Sequence, residues 1–357
     1  MAAAGHSGDA RTHAVAALAD AEFVRLVGTA DGDALAAAGL LARGLDAAGT
    51  PYQASLAAVP DPPATDADCV VTIGHAGGDI ALDAGALAPE AAAIVDELAP
   101  SATDPELALA GAVAGGAEPP AELLERADLE RRPGVATPTD DRIEGLAGTT
   151  LVHAGFSGDS RSVEAALEEL DDPDGRELAS FVALSAIDDA PPRAIEALER
   201  AVHPYVTGRL GTLGGLADVL DAVARARPGT GIALALGHDV ESAAIEIWRS
   251  HGERAHTVLR AADTGRYDGV YVLRLDDGSP AFLGTVARLC LHYRSPEPIA
   301  LAVTDGAAAA AGEAAVGEPL RETAAGLDGR TVARDTHGVA TFDGTVAGFT
   351  AAFREAV

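Results

Sequence analysis

The first third of the chain alternates short apolar runs with glycine-containing turns. The pattern predicts a short helix over residues 11–20 and a strand from Glu22 to Val27 that stops at Gly28. Apolar positions then recur at helical spacing over residues 33–48, and further strands are predicted at Gln53–Val59 and Asp68–Ile73. Strands that alternate with helices in this way are typical of a parallel sheet covered by helices.

Helical periodicity dominates the middle of the chain, interrupted by a predicted strand at Thr149–Val152. The segment Gly208–Gly215 contains four glycines and is interpreted as a linker, followed by a helix from Gly215 to Arg227. The other helices predicted in this part are 89–98, 104–115, 119–127, 160–170, 175–187 and 192–202.

The last third mixes strand and helix patterns. We predict a strand at Gly231–Leu236, a long helix over 239–262, an alanine-rich helix around Ala307–Ala311 and a final helix over 345–356. Further strands are predicted at Val270–Leu275, Ile299–Val303, 331–334 and 339–342, with an apolar segment at 282–292. The predicted fold class is α/β, a parallel-sheet domain with a helical insert and then a smaller α/β domain. The expected division is 1–207, a connecting segment 208–230, and 231–357.

Net charge is the bulk property that says most about the class of this protein. The chain has 55 acidic and 25 basic residues, a formal charge of −30, and no lysine. Such a charge destabilises a compact state at ordinary ionic strength, whereas molar salt shortens the Debye length to about 3 Å. We therefore expect a halophilic, archaeal, cytoplasmic protein. Because the acidic residues are interleaved with periodic apolar ones, the pattern argues against a disordered acidic chain.

Other sequence features exclude several classes of protein. Cys69 and Cys290 each lie in an apolar run and are expected to be buried free thiols. No apolar stretch approaches the ~20 residues of a membrane span, and the first residues lack the apolar region of a signal peptide. Because phosphate contacts weaken steeply with salt, any nucleic-acid binding requires a local arginine-lined groove or a partner protein.

Residues 27–43 read VGTADGDALAAAGLLAR and contain the most informative motif. The segment resembles the first motif of the DHH superfamily of phosphoesterases, in which a strand ends in His-x-Asp-x-Asp-Gly and an Ala- and Leu-rich helix follows. Asp31 and Gly32 match the second Asp and the Gly, while Thr29 replaces the first Asp and Val27 replaces the His. In that family the motif implies carboxylates that hold Mn²⁺ or Mg²⁺ and activate water against a phosphodiester.

The remaining motifs of the family are also altered. Thr72 stands near the expected Asp of the next strand, and the Asp-His-His signature is absent from the chain. His75 and Asp79 are either substitute ligands or polar residues of a turn, and we favour the turn. Asp31-Gly32 taken alone is an ordinary helix cap. The resemblance implies Asp31 and Asp33 as catalytic remnants and Asp31 and Asp79 as metal ligands.

Two segments of the second half carry further resemblances, the first to the archaeal RecJ branch that associates with the GINS replication complex and the second to the nucleic-acid-binding DHHA1 domain. Asp221–Arg225 stands where that branch has Asn-Ala-Cys-Gly-Arg, and residues 335–340 stand where the DHHA1 domain has Gly-Gly-His-x-x-Ala. The resemblance implies that Arg225 and His337 bind nucleic acid, although Arg225 equally suits a helix C-terminus.

Three functions follow from this comparison. The first is a catalytically degenerate RecJ-like protein, with no cofactor, that binds single-stranded DNA or serves as a scaffold in DNA replication or repair. The inactive RecJ relative of the eukaryotic replicative helicase is its precedent, and GINS and the MCM helicase are the implied partners. The second is an active single-strand exonuclease or phosphodiesterase that uses Mn²⁺ or Mg²⁺. The third is an interaction protein without nucleic-acid contact.

Overall fold

The computed structural model describes residues 3–61, 65–170, 173–188, 190–276 and 278–357. Two sheets organise the molecule, one of four strands near the N-terminus and one of six strands near the C-terminus. A mainly helical segment connects them. This architecture confirms the predicted α/β class with a parallel sheet and a second, separate sheet. The division at residues 208–230 stays a prediction.

The first sheet is built by the pattern of strands and helices that the sequence indicates. Its elements are α1 (Ala3–Asp20), β1 (Val24–Thr29), α2 (Gly32–Ala48), β2 (Tyr52–Ala57), β3 (Cys69–Ile73) and β4 (Ile80–Leu82). The strand order is β2-β1-β3-β4, and every pairing is parallel. All four carboxyl ends therefore face one edge of the sheet, where ligands bind in open α/β folds.

Helices cover this sheet and continue through the middle of the chain. They are α3 (Leu87–Leu98), α4 (Pro105–Ala114), α5 (Ala121–Ala127), α6 (Arg142–Gly148), α7 (Ser160–Glu168), α8 (Gly175–Ile187), α9 (Ala194–Ala201), α10 (Leu213–Ala226), α11 (Pro228–Ala235) and α12 (Glu241–Ala261), with a short 3₁₀ turn at Pro100–Ala102. Helix α2 packs between the sheet and α3, α4, α10 and α11. Small side chains dominate that packing, so the helices approach closely. At Gly39 an added Cβ would lie 2.5 Å from Ala235.

The second sheet combines parallel and antiparallel pairs. Its part of the chain contains β5 (Asp263–Tyr267), β6 (Val270–Arg274), α13 (Pro280–Tyr293), β7 (Ile299–Thr304), β8 (Ala307–Gly312), α14 (Gly317–Ala325), β9 (Arg330–Ala333), β10 (His337–Thr341) and α15 (Val346–Ala356). The strand order is β5-β6-β7-β8-β10-β9, in which only β6 and β7 run parallel. Strand β9 forms one edge of this sheet.

Three predicted elements are wrong, each because tertiary contacts outweigh local pattern. The predicted alanine helix at Ala307–Ala311 is the buried strand β8, whose small side chains let α13 pack directly on it. The predicted strand at Gly231–Leu236 is helix α11, in which Gly231, Leu234 and Ala235 are buried at helical spacing. The predicted strand at Thr149–Val152 joins no sheet among the described residues, because its Thr150 N–H bonds the Asp218 carboxylate at 2.9 Å.

Other features follow the sequence more closely. The remaining predicted strands and helices occur within a few residues of their expected bounds, except that α1 begins at Ala3 and not at residue 11. Elements β4, α6, β5 and α14 were not predicted. Both cysteines are buried free thiols, as expected. Within the described ranges no helix combines the length and the apolar character needed to cross a membrane.

Candidate functional site between the two sheets

Asp31 occupies the turn between β1 and α2, at the carboxyl edge of the first sheet. One carboxylate oxygen accepts a hydrogen bond from the Ala34 N–H at 2.9 Å, which caps the helix. The other accepts a hydrogen bond from the Thr29 hydroxyl at 2.5 Å. Both oxygens of Asp31 are therefore engaged in holding the strand-to-helix turn.

Asp33 is buried in the first turn of α2 and supports a neighbouring helix. Its carboxylate accepts hydrogen bonds from the N–H groups of Leu87 at 3.0 Å and Ala88 at 2.8 Å, in the first turn of α3. The preceding residue, Ala86, has no side chain that could cap this helix, so Asp33 supplies the cap from outside. Burial raises the pKa of Asp33 to about 6, against the lowering effect of these two hydrogen bonds.

Asp79 lies away from this edge. Its carboxylate accepts a hydrogen bond from the Val70 N–H at 2.8 Å, next to the amino end of β3. Since β3 and β4 are parallel and a strand rises about 3.3 Å per residue, Asp79 is roughly 10 Å from the carboxyl edge at Ile73. The structure therefore does not bring Asp79 together with Asp31, and the turn interpretation fits its contacts.

The two threonines that replace motif carboxylates are satisfied locally. Thr72 is buried, and its hydroxyl donates to the Gly77 carbonyl at 2.6 Å. Thr29 lies against Gly74, where an added Cβ would be 2.2 Å from the threonine hydroxyl. Gly74 has a φ of 84°, so glycine is favoured there both by its backbone conformation and by the close approach.

A buried ion pair on α10 reaches the same turn from the other side. Asp221 accepts a hydrogen bond from the Gly32 N–H at 3.1 Å and another from Arg225 Nε at 2.8 Å. Arg225 also donates to the Ala281 carbonyl of α13 at 2.9 Å, which links the two parts of the molecule. Burial alone raises the pKa of Asp221, but Arg225 outweighs it and lowers that pKa to about 2.

The second sheet contributes Arg334 and His337 to this region. Arg334 Nη1 lies 3.7 Å from the Asp33 carboxylate, and Arg334 Nη2 is buried without a hydrogen-bond partner within the described part of the chain. His337 is exposed at the start of β10. Removal of the ring from water lowers the pKa of His337, and the negative charge of Asp31 acts against this effect.

These side chains meet around a small cavity and next to a larger one. The small cavity, of about 50 Å³, is lined by Asp31, Arg225, Arg334 and His337 among others. The larger cavity, of about 950 Å³, lies between the carboxyl ends of β3 and β4 and strand β9. Of the residues expected from sequence, the structure thus brings Asp31, Arg225 and His337 together, places Asp33 behind them, and leaves Asp79 apart.

The oxygen ligands present at this edge do not fit a pair of divalent metal ions. Hard cations such as Mg²⁺ take about six oxygen ligands, whereas Asp31, Asp33 and Asp221 already accept hydrogen bonds from protein donors. Two guanidinium groups, those of Arg225 and Arg334, lie among them and repel a cation. Within the residues that the structure describes, no three His, Cys, Asp or Glu side chains are grouped to hold a metal ion.

Sequence reasoning missed two important residues of this site. Asp221 lies in the segment that resembles the archaeal RecJ branch, and an Asp four residues before an Arg on one helix is a signal for an ion pair. Arg334 lies three residues before His337. Its role depends on contact with Asp33, which is distant in the sequence, and no local pattern reveals that contact.

Comparisons with known proteins extend these observations. The chain is 47% identical over 357 residues to "Uncharacterized protein rrnAC1427" of Haloarcula marismortui, covering 95% of each sequence. A family described as "Uncharacterized protein rrnAC1427, C-terminal domain" matches residues 262–355.

Solved structures are similar at the level of the fold. RecJ of Thermus thermophilus in complex with Mn²⁺ superposes with a TM-score of 0.50 at 16% identity, over 98% of this chain and 54% of that one. The chain therefore spans about half the length of that RecJ. CDC45 of Entamoeba histolytica superposes with a TM-score of 0.49 at 10% identity, over 94% and 95% of the two chains.

Proposed function

This chain belongs to the family of the Haloarcula protein rrnAC1427 and has a DHH/RecJ-type fold, and from this premise we propose that it is a catalytically degenerate member of that fold. Its proposed role is to bind single-stranded nucleic acid or to serve as a scaffold in DNA replication or repair, without metal-dependent hydrolysis. By the family resemblance, the partners proposed are GINS and the MCM helicase. The acidic composition supports a cytoplasm rich in salt as its location.

One observation carries the proposal: arginine side chains supply positive charge at the sheet edge where the fold family places metal ions. Arg225 neutralises Asp221, and Arg334 lies beside Asp33. The carboxylates of Asp221 and Asp33 thus have guanidinium groups of the protein beside them, which reduces the negative charge that Mn²⁺ or Mg²⁺ would neutralise. Val27 and Thr29 add no charged ligand.

Contact with nucleic acid would be local, because the chain as a whole repels phosphates. Asp and Glu outnumber Arg by 55 to 25, so long-range attraction is absent. His337 is exposed beside the small cavity and is proposed to donate to a phosphate. Arg225 is mostly engaged by Asp221 and Ala281, so its part would be to hold the site in place.

A metal-dependent exonuclease is the second candidate, and one observation favours it. Asp31 lines the small cavity at the carboxyl edge, in a fold shared with a Mn²⁺-bound RecJ. An interaction protein without nucleic-acid contact is the third candidate, which the charge of −30 suits.

A manganese-dependent nuclease assay on single-stranded DNA in molar KCl separates the first two candidates. The proposal predicts no hydrolysis above that of the Asp31→Asn variant, which keeps a side chain able to cap α2. Hydrolysis that Asp31→Asn abolishes would establish the exonuclease instead.

Binding of a labelled oligothymidine separates the first candidate from the third. We expect binding that weakens with rising KCl and weakens several-fold further in His337→Ala. The exposed Arg161→Met variant on α7 is the control and should bind as the parent does. Absence of binding by the parent at every salt concentration would favour the interaction protein.

A further inference from the structure

Exposed large apolar side chains are concentrated on one helical hairpin, formed by α8 and α9. Over the described ranges four such side chains are exposed, and three of them are Leu184, Ile187 and Ile195. The fourth, Val357, lies elsewhere, after α15. Helices α8 and α9 pack against each other, and Ile187 ends α8 while Ile195 lies in the first turn of α9. These three side chains are called the hairpin patch.

Helix α8 is apolar on two sides, and the hairpin patch is on its outward side. Residues two positions apart on a helix point to nearly opposite sides. Leu184 stands two positions from both Val182 and Ala186, which are buried, and is itself 67% exposed. Ile187, three positions further along, is a neighbour of Leu184 on the helix surface. Single apolar side chains are common on protein surfaces, whereas a group of them marks an interaction surface.

Exposed carboxylates surround the hairpin patch. Glu177 and Asp188 lie seven positions before and four positions after Leu184, so both share its helical face. Glu196 follows the patch residue of α9 and is also exposed. Among the described residues from 174 to 200, five exposed side chains are acidic and two are basic. A second copy of this chain would place one acidic rim against the other, which like charges disfavour. A partner with a basic rim is complementary.

We propose that the hairpin patch binds an amphipathic helix of another protein, with apolar side chains at i, i+3 and i+4 that are flanked by arginine or lysine. Such helices bind by laying an apolar face on an apolar surface. Three side chains form a small contact, at the low end of interface sizes, below about 1,200 Å², so the complex is reversible. The patch residues line neither cavity, and the proposal therefore does not depend on the nucleic-acid site proposed above.

Binding of two labelled helical peptides to the full chain, measured by fluorescence anisotropy in molar KCl, tests the proposal. Both peptides carry leucine at i, i+3, i+4 and i+7, and they differ only in having arginine or glutamate at the flanking positions. We expect the arginine peptide to bind with a Kd of about 10–100 µM. The glutamate peptide should bind several-fold more weakly, because contact ion pairs persist at a Debye length of about 3 Å.

Variants of the patch locate the binding. Leu184→Gln and Ile187→Gln should each raise the Kd of the arginine peptide at least about tenfold, as expected when one large apolar side chain is no longer buried. Val357→Gln is the matched control, because it removes an exposed apolar side chain outside the patch, and it should leave the Kd unchanged. Since all three positions are exposed, the urea midpoints should equal that of the parent.

A charge reversal distinguishes the proposed complex from non-specific apolar contact. Asp188→Arg/Glu196→Arg should weaken binding of the arginine peptide and strengthen binding of the glutamate peptide. Equal Kd values for the two peptides with the parent, or a Kd unchanged in both glutamine variants, would overturn the proposal. A dimer of the parent in sedimentation equilibrium that Leu184→Gln dissociates would also overturn it, because a second copy would then cover the patch. Loss of oligothymidine binding in His337→Ala bears only on the function proposed above.

Discussion

Replacing Asp221 by alanine should destabilise the protein more than any exposed charge substitution. Asp221 is 6% exposed, and its carboxylate accepts hydrogen bonds from Arg225 at 2.8 Å and from the Gly32 N–H at 3.1 Å. Loss of the charged bond costs about 1.5–3 kcal/mol and loss of the backbone bond about 0.5–1.5 kcal/mol. Arg225 is then left buried without its partner, for which a total of about 3–5 kcal/mol is typical.

Urea unfolding in molar KCl measures this cost, because urea leaves the ionic strength unchanged. With an m-value of about 3 kcal/mol/M, the midpoint of Asp221→Ala should fall by about 1–1.7 M. The double variant Asp221→Ala/Arg225→Met removes the unpaired charge and should recover part of the loss. Glu318→Gln breaks the exposed pair with Arg321 and should leave the midpoint in place. A midpoint for Asp221→Ala equal to that of Glu318→Gln would refute the reasoning.

Two further predictions concern acid and backbone packing. His153 and His256 are joined Nδ1 to Nδ1 at 2.9 Å, and burial lowers their pKa values to about 3 and about 4. The unfolded chain binds these protons near pH 6.5, so the stability of the neutral pair is complete above that pH and is lost as the pH falls towards about 4. Urea midpoints should therefore decline as the pH falls from about 6.5 to about 5, and a flat profile over that range would contradict the burial of this pair. Gly252→Ala places a Cβ 1.8 Å from the Gly148 carbonyl oxygen where α12 crosses α6 and should lower the free energy of unfolding by about 1–3 kcal/mol or more. In contrast, Gly229→Ala on α11 meets nothing within 4 Å and should be neutral or stabilising by up to about 1 kcal/mol. Equal unfolding midpoints for the two variants would refute the close crossing.

Local periodicity was sufficient to predict three of the four strands of the first sheet, but not the three-residue strand β4. Strand β1 is a short apolar run whose last residue but one is Gly28, and β3 is a short apolar run followed by Gly74. Helix α2 has its cap at Asp31 and a glycine at its C-terminus. These signals act within a few residues, so they can be recognised in the sequence without knowledge of tertiary contacts. The alanine run of β8 has no such signal. It is a strand because β7 and β10 pair with it on both sides.

The candidate site was only partly predictable for a related reason. Motif resemblance led to Asp31, Arg225 and His337, which line one small cavity. The residues that decide the chemistry of the site act across long separations: Asp221 is 189 positions from its partner Gly32. Whether a carboxylate is free for a metal ion depends on such contacts, and a sequence motif does not contain them.

Manganese binding by the purified protein in molar KCl, followed by calorimetry or by the electron paramagnetic resonance of Mn²⁺, tests the central claim most directly. The account predicts no saturable binding of two ions per chain, and the same weak signal in Asp31→Asn as in the parent. Two tightly bound ions per chain, released in Asp31→Asn, would contradict the claim that guanidinium groups have taken the place of metal ions at this edge.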